Sequence, residues 1–594
     1  MKLLRLKITD SHGFRSLQTG FEYCFRSDWD LQEEAKQTAP IFEPFVCAGK
    51  NGSGKSNLLE VLAAIFFQLE AMRIRRNFLP EALQEYLDSE KPGADLLDGF
   101  ELEYLIQAPP EVKENTFPAA FPIKFSPDSG FAHVIVRKEP GKSLVLDWIN
   151  RHQFKADDIP EERVRDILLP EYILGYSSGE NQILSLPFFK MRFVQFDEYW
   201  SALESQNSYP GRPESRMAYL DNEFSQAILL CNLLFQNEDT LKLLFEEVGI
   251  QKLNGFRIIL KRSIDLIEQP SKRFEEDNPA VTKIPEVGGG TLNVLKLVEA
   301  DDQSKEALEL IVNKLKRCAT SVFVEPSCDA PYYETLYLDY WINEATKEAF
   351  SKNFDDDPLS LFQAFQVLLT LNLYSVREEL KRELYQSDSH YVSETIPILA
   401  SDQRIMRFKF VEFTKKGIVE SVMLKSLSDG EHQLLHSLGL CLLFKNTNSL
   451  FLFDEPETHF NPDWRASFIS RLQSCFRGTD RSREMLITTH TPFLISDSRP
   501  QKVLVFKKED DTVTVNNPEY NTLGASINKI TMTTFGKRET IGGHAQKILE
   551  NLHDRFNQGE DKNALITEIN RQLGDSVEKI LLIKIILDSM EKQN

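Results

Sequence analysis

The chain has 594 residues, of which 41% are hydrophobic and 27% are charged, and its formal net charge is −21. This length predicts two or more domains, or one domain with large insertions. The acidic charge argues against a general nucleic-acid coat protein, which needs a broad basic surface, but it leaves a local basic groove open. No apolar run approaches the roughly 18 residues of a membrane span, so we expect no membrane contact. The seven cysteines lack a C-x-x-C pair, which favours reduced thiols and a cytoplasmic location.

A glycine loop is the first chemical feature in chain order. Residues 45–48 predict a short buried strand, and residues 56–69 predict an apolar helix. Between them the chain matches the G-x-x-x-x-G-K-S pattern, in which backbone N–H groups and the start of the helix hold phosphates. Lys55 would contact the β- and γ-phosphates and the Ser56 hydroxyl would bind Mg²⁺, which predicts ATP and Mg²⁺ as ligands. The predicted nucleotide contacts are Gly49, Asn51, Gly52, Ser53, Gly54, Lys55, Ser56 and Asn57.

The region from about residue 71 to 404 has a mixed pattern, and no heptad repeat extends beyond a few turns. Residues 274–290 contain an acidic cluster, two prolines and three consecutive glycines, which predicts a mobile loop. The predicted strands are 100–106, 132–137, 172–176, 255–260 and 335–341, and the predicted helices are 188–205, 223–248, 292–299, 303–317 and 358–385.

Alternating strands and helices return from about residue 405 to 535. The apolar strand 450–453 ends in Asp454 and Glu455, at the edge of the predicted parallel sheet. Asp454 would hold Mg²⁺ through water and Glu455 would polarise the attacking water, while an acidic turn after a core strand is the alternative. The strand 486–489 ends at His490, which can sense the γ-phosphate or be a structural histidine.

A second anion site is predicted at the start of the helix that follows residue 428. Ser428, Gly430 and Glu431 precede an amphipathic helix whose first N–H groups can bind an anion. Taken alone, the S-x-x-E spacing more commonly marks an ordinary helix cap.

In this order the motifs resemble the ABC-type ATPases. The resemblance implies an α/β fold: an ABC-type P-loop ATPase head with a large mixed helical and strand insertion and a helical C-terminal tail. Its expected parts are residues 1–70 and 405–535 as two lobes of the head, 71–404 as the insertion that completes it, and 536–594 as a tail that is a candidate for partner binding. The resemblance also implies that the signature loop, here Ser428, Gly430 and Glu431, closes over the γ-phosphate bound by another subunit.

Two further positions follow from the same resemblance. Gln182, after the strand 172–176, is the candidate Q-loop residue for nucleotide and Mg²⁺, and a polar loop with no ligand is the alternative. The D-loop position falls on Asn461, where many members of the family carry aspartate.

Residues 454–459 (Asp-Glu-Pro-Glu-Thr-His) and 13–17 (Gly-Phe-Arg-Ser-Leu) resemble the branch that contains the overcoming-lysogenization-defect and SMC-like ATPases. This resemblance implies that Arg15 and Ser16 lie near the nucleotide. The whole length, with the segment 176–181 and the tail 573–579, resembles the PtuA-like ATPases of Septu-type antiphage systems, in particular the version associated with retrons. That resemblance implies a homodimer or larger even-numbered assembly, a partner HNH nuclease of the PtuB kind, and a retron reverse transcriptase with its multicopy single-stranded DNA (msDNA). The alternative function is a stand-alone DNA-binding repair ATPase of the SMC-like kind.

Basic residues leave nucleic-acid contact open as a further prediction. The sequence shows no H-N-H arrangement and no Toprim-type carboxylate series, so we expect ATP hydrolysis but no nuclease activity from this chain. The basic candidates, each of which is also compatible with solvated surface charge, are Arg73, Arg75, Arg76, Lys190, Arg192, Lys537 and Arg538.

Overall fold

The structure is a computed structural model. The residues that it describes are 1–36, 42–72, 97–109, 112, 130–154, 159–178, 184–204, 215–266, 281–284, 289–293, 308–326, 334–386, 399–479, 481–536 and 541–591.

Strands occur throughout the first 516 residues. They are β1 (Lys2–Ile8), β2 (Glu22–Cys24), β3 (Phe45–Gly49), β4 (Phe100–Gln107), β5 (Phe131–Lys138), β6 (Val145–Trp148), β7 (Tyr172–Ser177), β8 (Met217–Tyr219), β9 (Ile250–Lys261), β10 (Ser263–Leu266), β11 (Val281–Ile284), β12 (Gly289–Asn293), β13 (Ser321–Pro326), β14 (Glu334–Trp341), β15 (Met406–Lys415), β16 (Val422–Met423), β17 (Ser449–Asp454), β18 (Glu484–Thr489), β19 (Val503–Glu509) and β20 (Thr512–Asn516).

Helices separate the strands and form the C-terminal end of the described chain. They are α1 (Asp28–Lys36), α2 (Lys55–Ala71), α3 (Glu161–Leu168), α4 (Leu186–Glu204), α5 (Asn222–Phe235), α6 (Glu238–Val248), α7 (Leu308–Cys318), α8 (Glu344–Asn353), α9 (Pro358–Thr370), α10 (Glu378–Gln386), α11 (Asp429–Leu443), α12 (Pro462–Cys475), α13 (Pro492–Ser496), α14 (Ile527–Thr533), α15 (Gly543–Asn557), α16 (Lys562–Gln572) and α17 (Val577–Glu591), with short 3₁₀ turns at Arg151–Gln153, Leu371–Ser375, Leu424–Ser426 and Pro500–Lys502.

A seven-stranded sheet in the order β20-β19-β3-β18-β17-β7-β8 forms the centre of the head. All neighbouring strands from β19 to β8 are parallel, and β20 pairs with β19 in the antiparallel direction. The strands β3, β7, β17 and β18 are buried along their whole length, which explains their continuous apolar runs. In the register of the sheet, Asp454 lies opposite both Thr488 and Ser177, and Thr488 lies opposite Cys47. The carboxyl ends of the four strands therefore meet at one edge.

Two hydrophobic cores lie on opposite faces of this sheet, because successive strand residues point to opposite sides. Phe45 and Cys47 belong to the core shared with α2 and with the antiparallel sheet β2-β1-β4-β5-β6. Val46 and Ala48 belong to the other core, which includes α5, α9, α11 and α12. The sheet is thus covered on both faces, and its carboxyl edge is the place where polar side chains collect.

Two further antiparallel sheets come from the middle of the chain. One has the order β13-β14-β9-β15-β16, and the other has the order β10-β12-β11. The helices α15, α16 and α17 pack around a small core of their own, made of Leu552, Leu565, Ile569, Leu582 and Ile586. The predicted α/β class, a head built on a parallel sheet with a mixed insertion and a helical tail, is confirmed.

Most predicted elements are confirmed, and the exceptions fall between residues 223 and 385. The predicted helix 358–385 is two helices, α9 and α10, separated by the 3₁₀ turn Leu371–Ser375. The predicted helix 223–248 is two helices, because Asn237 caps α6 with its side chain and starts a new helix. The predicted loop 274–290 is wrong where it contains β11 and the start of β12, since these strands pair with each other despite the glycines. The predicted helix 292–299 is wrong at residues 292–293, which end β12, and the rest lies outside the described residues.

In the described part of the chain, no single helix is long and apolar enough to span a membrane. One bent pair, Pro358–Ser375 with Glu379–Tyr385, passes that test by length and composition alone.

Candidate functional site

The glycine loop lies between β3 and α2, as predicted, and its glycines adopt backbone angles that disfavour other residues. Gly49, Gly52 and Gly54 have φ angles of 154°, 73° and 97°. A Cβ on Gly49 would lie 2.6 Å from a backbone oxygen, that of Phe506, whereas a Cβ on Gly52 would meet no atom within 4 Å. Gly49 is therefore required by packing within the fold, while Gly52 borders open space that a phosphate could enter.

Lys55 is held inside this loop. Its Nζ donates hydrogen bonds to the backbone oxygens of Gly49 (3.3 Å) and Lys50 (3.1 Å), and its side chain is buried. Burial lowers the pKa of Lys55, although the carboxylates of Glu455 and Asp454 oppose that effect. The ammonium group is thus placed at the loop where the sequence predicts phosphate oxygens.

Asp454 is the centre of a buried set of oxygen atoms at the carboxyl edge of the sheet. The Ser56 hydroxyl donates to Asp454 Oδ1 at 2.8 Å, the Thr488 hydroxyl donates to the same oxygen, and Ser177 Oγ lies 3.4 Å from Oδ2. Burial raises the pKa of Asp454, which is fully inaccessible to solvent. Hydroxyl and carboxylate oxygens are the ligands that Mg²⁺ prefers, and Ser56 and Asp454 already lie together, so these residues fit the predicted metal.

Glu455 and His490 form a pair beside this set. Nε2 of His490 lies 2.9 Å from Oε1 of Glu455, and this hydrogen bond holds the pKa of Glu455 below its ordinary value. The backbone N–H of Glu455 donates to Thr488 Oγ1 at 3.0 Å, and the residue has a φ angle of 49°. A non-glycine residue held in the left-handed region is typical of functional sites. Glu455 is therefore an ionised, partly exposed carboxylate in a fixed position.

Arg15 and Ser16 lie against the start of α2, next to the glycine loop. The Ser16 hydroxyl donates to Asn57 Oδ1 at 2.6 Å, and a Cβ on Gly54 would lie 2.9 Å from the same hydroxyl. The Arg15 guanidinium is paired with buried Glu60 at 3.0 Å. The structure thus brings both predicted residues to the loop, and it adds Glu60, which the sequence reasoning missed.

The signature residues begin α11 and form a complete helix cap. The Ser428 hydroxyl accepts from the backbone of Glu431 at 3.4 Å, and the Glu431 carboxylate accepts from the backbone of Ser428 at 2.8 Å. Glu431 also pairs with Lys415; although burial opposes the effect, these contacts hold the pKa of Glu431 below its ordinary value. The cap alternative is therefore present in the structure. It does not exclude the anion role, because Ser428 is exposed and the N–H that the cap uses is that of Glu431, the third residue of α11.

Three buried residues behind the site, Glu457, Thr489 and Gln433, were missed by the sequence reasoning. Glu457 is buried and accepts a hydrogen bond from the Thr489 hydroxyl, and burial raises its pKa to about 7. Gln433, also buried, accepts from the backbone N–H of His459 at 2.9 Å. The doubled threonine before His490 and the second glutamate of Asp-Glu-Pro-Glu were the available signals.

The remaining predicted positions have different outcomes. Asn461 caps α12, where its side chain accepts from the backbone N–H of Trp464 at 2.8 Å, so the D-loop position has a structural role in this chain. Gln182 lies outside the described residues, as do Arg73, Arg75, Arg76, Lys537 and Arg538.

Lys190 and Arg192 correct a prediction, because neither is a free surface cation for nucleic acid. Lys190 is buried and donates to the backbone oxygen of Tyr385 at 2.9 Å. Arg192 pairs with Asp221 at 2.7 Å and stacks over the rings of Phe189 and Phe224. Their charges are used inside the fold, where α4 packs against its neighbours. Among the residues described, no group of three or more His, Cys, Asp or Glu is arranged to hold a metal ion.

Comparisons with known proteins agree with an ATPase domain at a coarse level. The family model described as "AAA domain, putative AbiEii toxin, Type IV TA system" matches residues 342–496, which include the signature residues, Asp454, Glu455 and His490. Protein ea59 of Escherichia phage lambda is 20% identical over 216 residues, which are 36% of this chain and 37% of that protein. The similarity therefore spans about a third of the length of that relative.

Among solved structures, the chain is similar to Smc head domains. One is the Smc head domain of Pyrococcus furiosus with an extended coiled coil, bound to the C-terminal domain of ScpA (14% identity, TM-score 0.29, covering 87% of this chain and 96% of that one). Another is the SMC head domain of Thermotoga maritima (11% identity, TM-score 0.28, covering 88% and 100%). Residues 342–496 of the chain are similar to an AAA-type ATPase domain.

Proposed function

We propose that the chain binds and hydrolyses ATP at the carboxyl edge of its parallel sheet. The observation that carries this proposal is the convergence of the glycine loop, the Ser56–Asp454 pair and the Glu455–His490 pair, which come from three separate stretches of sequence. The buried Asp454 and the ionised Glu455 are adjacent in sequence but have different surroundings, which supports different roles.

In this proposal the glycine loop and the N-terminus of α2 bind the phosphates, and Lys55 contacts their oxygens. Ser56 and Asp454 would hold Mg²⁺, which offsets phosphate charge when bound. Glu455 orients the attacking water and accepts its proton, because its carboxylate is ionised and its position is fixed by Thr488 and His490. His490 lies beside Glu455, where it also reaches the terminal phosphate.

We further propose that each site is completed by the signature loop of a second copy, in a homodimer or larger even-numbered assembly. Ser428 is exposed, and in its own chain it bonds to Glu431. The open N-terminus of α11 therefore offers N–H groups to an anion that another copy holds.

The variant Glu455→Gln tests the hydrolytic role. It keeps the shape of the side chain but removes its charge, so we expect ATP turnover to fall by roughly 100-fold or more while ATP still binds. The matched control is Glu348→Gln on α8, which changes an exposed glutamate in an ion pair with Lys352. Equal turnover in Glu455→Gln and the wild type, with both proteins folded, would refute the proposal.

At a finer level, we propose that the chain is the regulatory ATPase of an antiphage defence complex and controls a partner HNH nuclease, with a retron reverse transcriptase and msDNA as further partners. The support is the sequence resemblance to the PtuA-like ATPases, together with a helical tail that exposes apolar side chains. Ile580 and Leu581 on α17 are 62% and 53% exposed, and they lie on the side of the helix away from the small tail core.

Gel filtration with a candidate HNH nuclease tests this finer proposal. We expect a stable complex, and we expect Glu455→Gln to change protection against phage in cells that carry both genes. If no complex forms and protection is unaffected, the alternative of a stand-alone DNA repair ATPase gains support.

A further inference from the structure

The first turns of α11 hold the backbone of His459 from two sides. A Cβ on Gly430 would lie 2.7 Å from the backbone oxygen of His459, so helix and loop are in direct contact at this glycine. One turn further along the same helix, Gln433 Oε1 accepts a hydrogen bond from the backbone N–H of His459 at 2.9 Å. The peptide groups around His459 therefore cannot move independently of the signature helix.

The held residue belongs to a tight turn that begins at Glu455. The backbone N–H and the hydroxyl of Thr458 both donate to the backbone oxygen of Glu455, at 3.3 and 2.9 Å. The N–H of Phe460 donates to the backbone oxygen of Glu457 at 3.0 Å. The Glu457 carboxylate in turn accepts from Thr489, the residue before His490. A displacement at His459 is thus transmitted to Glu455 through a few hydrogen bonds.

The hydrogen bond to His459 satisfies a buried group. The Gln433 side chain is only 3% exposed, and a buried amide oxygen is costly unless it accepts a hydrogen bond. One buried side chain therefore joins the signature helix to the turn after Glu455.

We propose that Gln433 is a positioning residue that couples the signature loop to Glu455 within one chain. The proposal rests on the proposed function, in which the signature loop of one copy contacts the ATP of the other. In such an assembly the Glu455 of a chain acts on the ATP bound by that chain, whereas its signature loop contacts the ATP bound by the other copy. Gln433 then links the two sites, so ATP bound at one site sets the position of Glu455 at the other and the two sites hydrolyse ATP cooperatively.

The variant Gln433→Leu removes the acceptor at nearly constant volume. We expect kcat to fall about ten-fold, since the hydrogen bond that holds the His459 backbone on the signature helix is lost. We expect the Hill coefficient for ATP to fall towards one, while the Kd for ATP stays unchanged because Gln433 does not contact the glycine loop. Gln433→Glu retains the acceptor oxygen and should restore most of kcat and of the cooperativity. Should Gln433→Leu fail to fold, Gln433→Met, which preserves the length of the side chain, is measured with the same expected result.

The control is Asn232→Leu. Asn232 lies on α5, and its side chain contacts α11 at the end of that helix far from the signature loop. Asn232 is buried, and its amide donates to the backbone oxygen of Gly439 at 2.9 Å. We expect this variant to lose thermal stability but to keep kcat and the Hill coefficient.

The outcomes separate this inference from the proposed function. If the wild type hydrolyses ATP, Glu455→Gln is inactive, and Gln433→Leu keeps both kcat and cooperativity, the role of Gln433 is overturned and the ATPase proposal stands. If Gln433→Leu and Asn232→Leu change the same quantities equally, Gln433 only stabilises the fold. If Glu455→Gln hydrolyses ATP like the wild type, both proposals are overturned, because Gln433 then has no catalytic carboxylate to position.

Discussion

Glu457 offers a quantitative test of the buried polar groups behind the site. Its carboxyl is buried, it accepts a hydrogen bond from Thr489, and burial raises its pKa from an ordinary value of 4.5 to about 7. A carboxyl whose pKa is higher in the folded state binds more protons there than in the unfolded chain, so stability falls as the pH rises through this interval. At about 1.4 kcal/mol per pH unit, the interval corresponds to about 3 kcal/mol of folding free energy.

The variant Glu457→Gln keeps the oxygen that accepts from Thr489 but does not titrate. We therefore expect it to unfold at a higher denaturant concentration than the wild type at pH 8.5, and to lose most of that advantage at pH 5. The measurement is urea unfolding followed by circular dichroism at several pH values. Glu455→Gln is the control with the opposite sign, because the pKa of Glu455 is held below its ordinary value and its ionised form stabilises the fold. A difference between Glu457→Gln and the wild type that stays constant from pH 5 to 8.5 would refute this reasoning.

Three further predictions concern the loop, the histidine and the tail. Gly49→Ala should lower the free energy of unfolding by roughly 1–3 kcal/mol, because its Cβ would meet a backbone oxygen at 2.6 Å. Gly52→Ala should cost only about 1–2 kcal/mol of stability, and its main effect should be weaker ATP binding. If Gly49→Ala and Gly52→Ala lose equal stability and equal ATP affinity, these separate roles are contradicted. His490→Ala should raise the pKa of Glu455 and so move the acidic limb of the kcat–pH profile to higher pH; an unshifted limb would mean that the hydrogen bond does not control this group. Ile580→Glu should leave the melting temperature unchanged, because the side chain is 62% exposed, but should abolish binding of the HNH nuclease; retained binding would exclude this face of the tail.

The elements around the site could be predicted from the sequence because their patterns are local. Two strands of the central sheet begin as short apolar runs and end at or next to a distinctive polar residue, since β17 ends at Asp454 and β18 ends just before His490. Because these two neighbouring strands are parallel, their carboxyl ends lie at the same edge, and the polar residues there come together. The helix after the glycine loop, predicted from Ser56 and observed from Lys55, needs only the glycines and the apolar residues that follow.

The parts that could not be predicted depend on contacts between distant residues. Lys190 looks like surface charge in the sequence, yet it is buried because a backbone oxygen 195 residues away accepts its hydrogen bond. Strand β12 contains Gly289 and Gly290, which locally favour a turn, but pairing with β10 and β11 overrides that preference. Gln433 lies just past the signature loop and has no local pattern, because its partner His459 belongs to another motif.

The central claim is that two copies of the chain share each ATP site, and a complementation measurement tests it most directly. Lys55→Ala disables the glycine loop, and Ser428→Arg blocks the signature loop, so each variant alone should lack ATPase activity. In a mixed dimer, one site combines the intact glycine loop of one copy with the intact signature loop of the other. We therefore predict that mixing the two inactive proteins restores a measurable fraction of wild-type turnover. If the mixture forms dimers and stays as inactive as its components, or if Ser428→Arg alone is fully active, the shared site is contradicted.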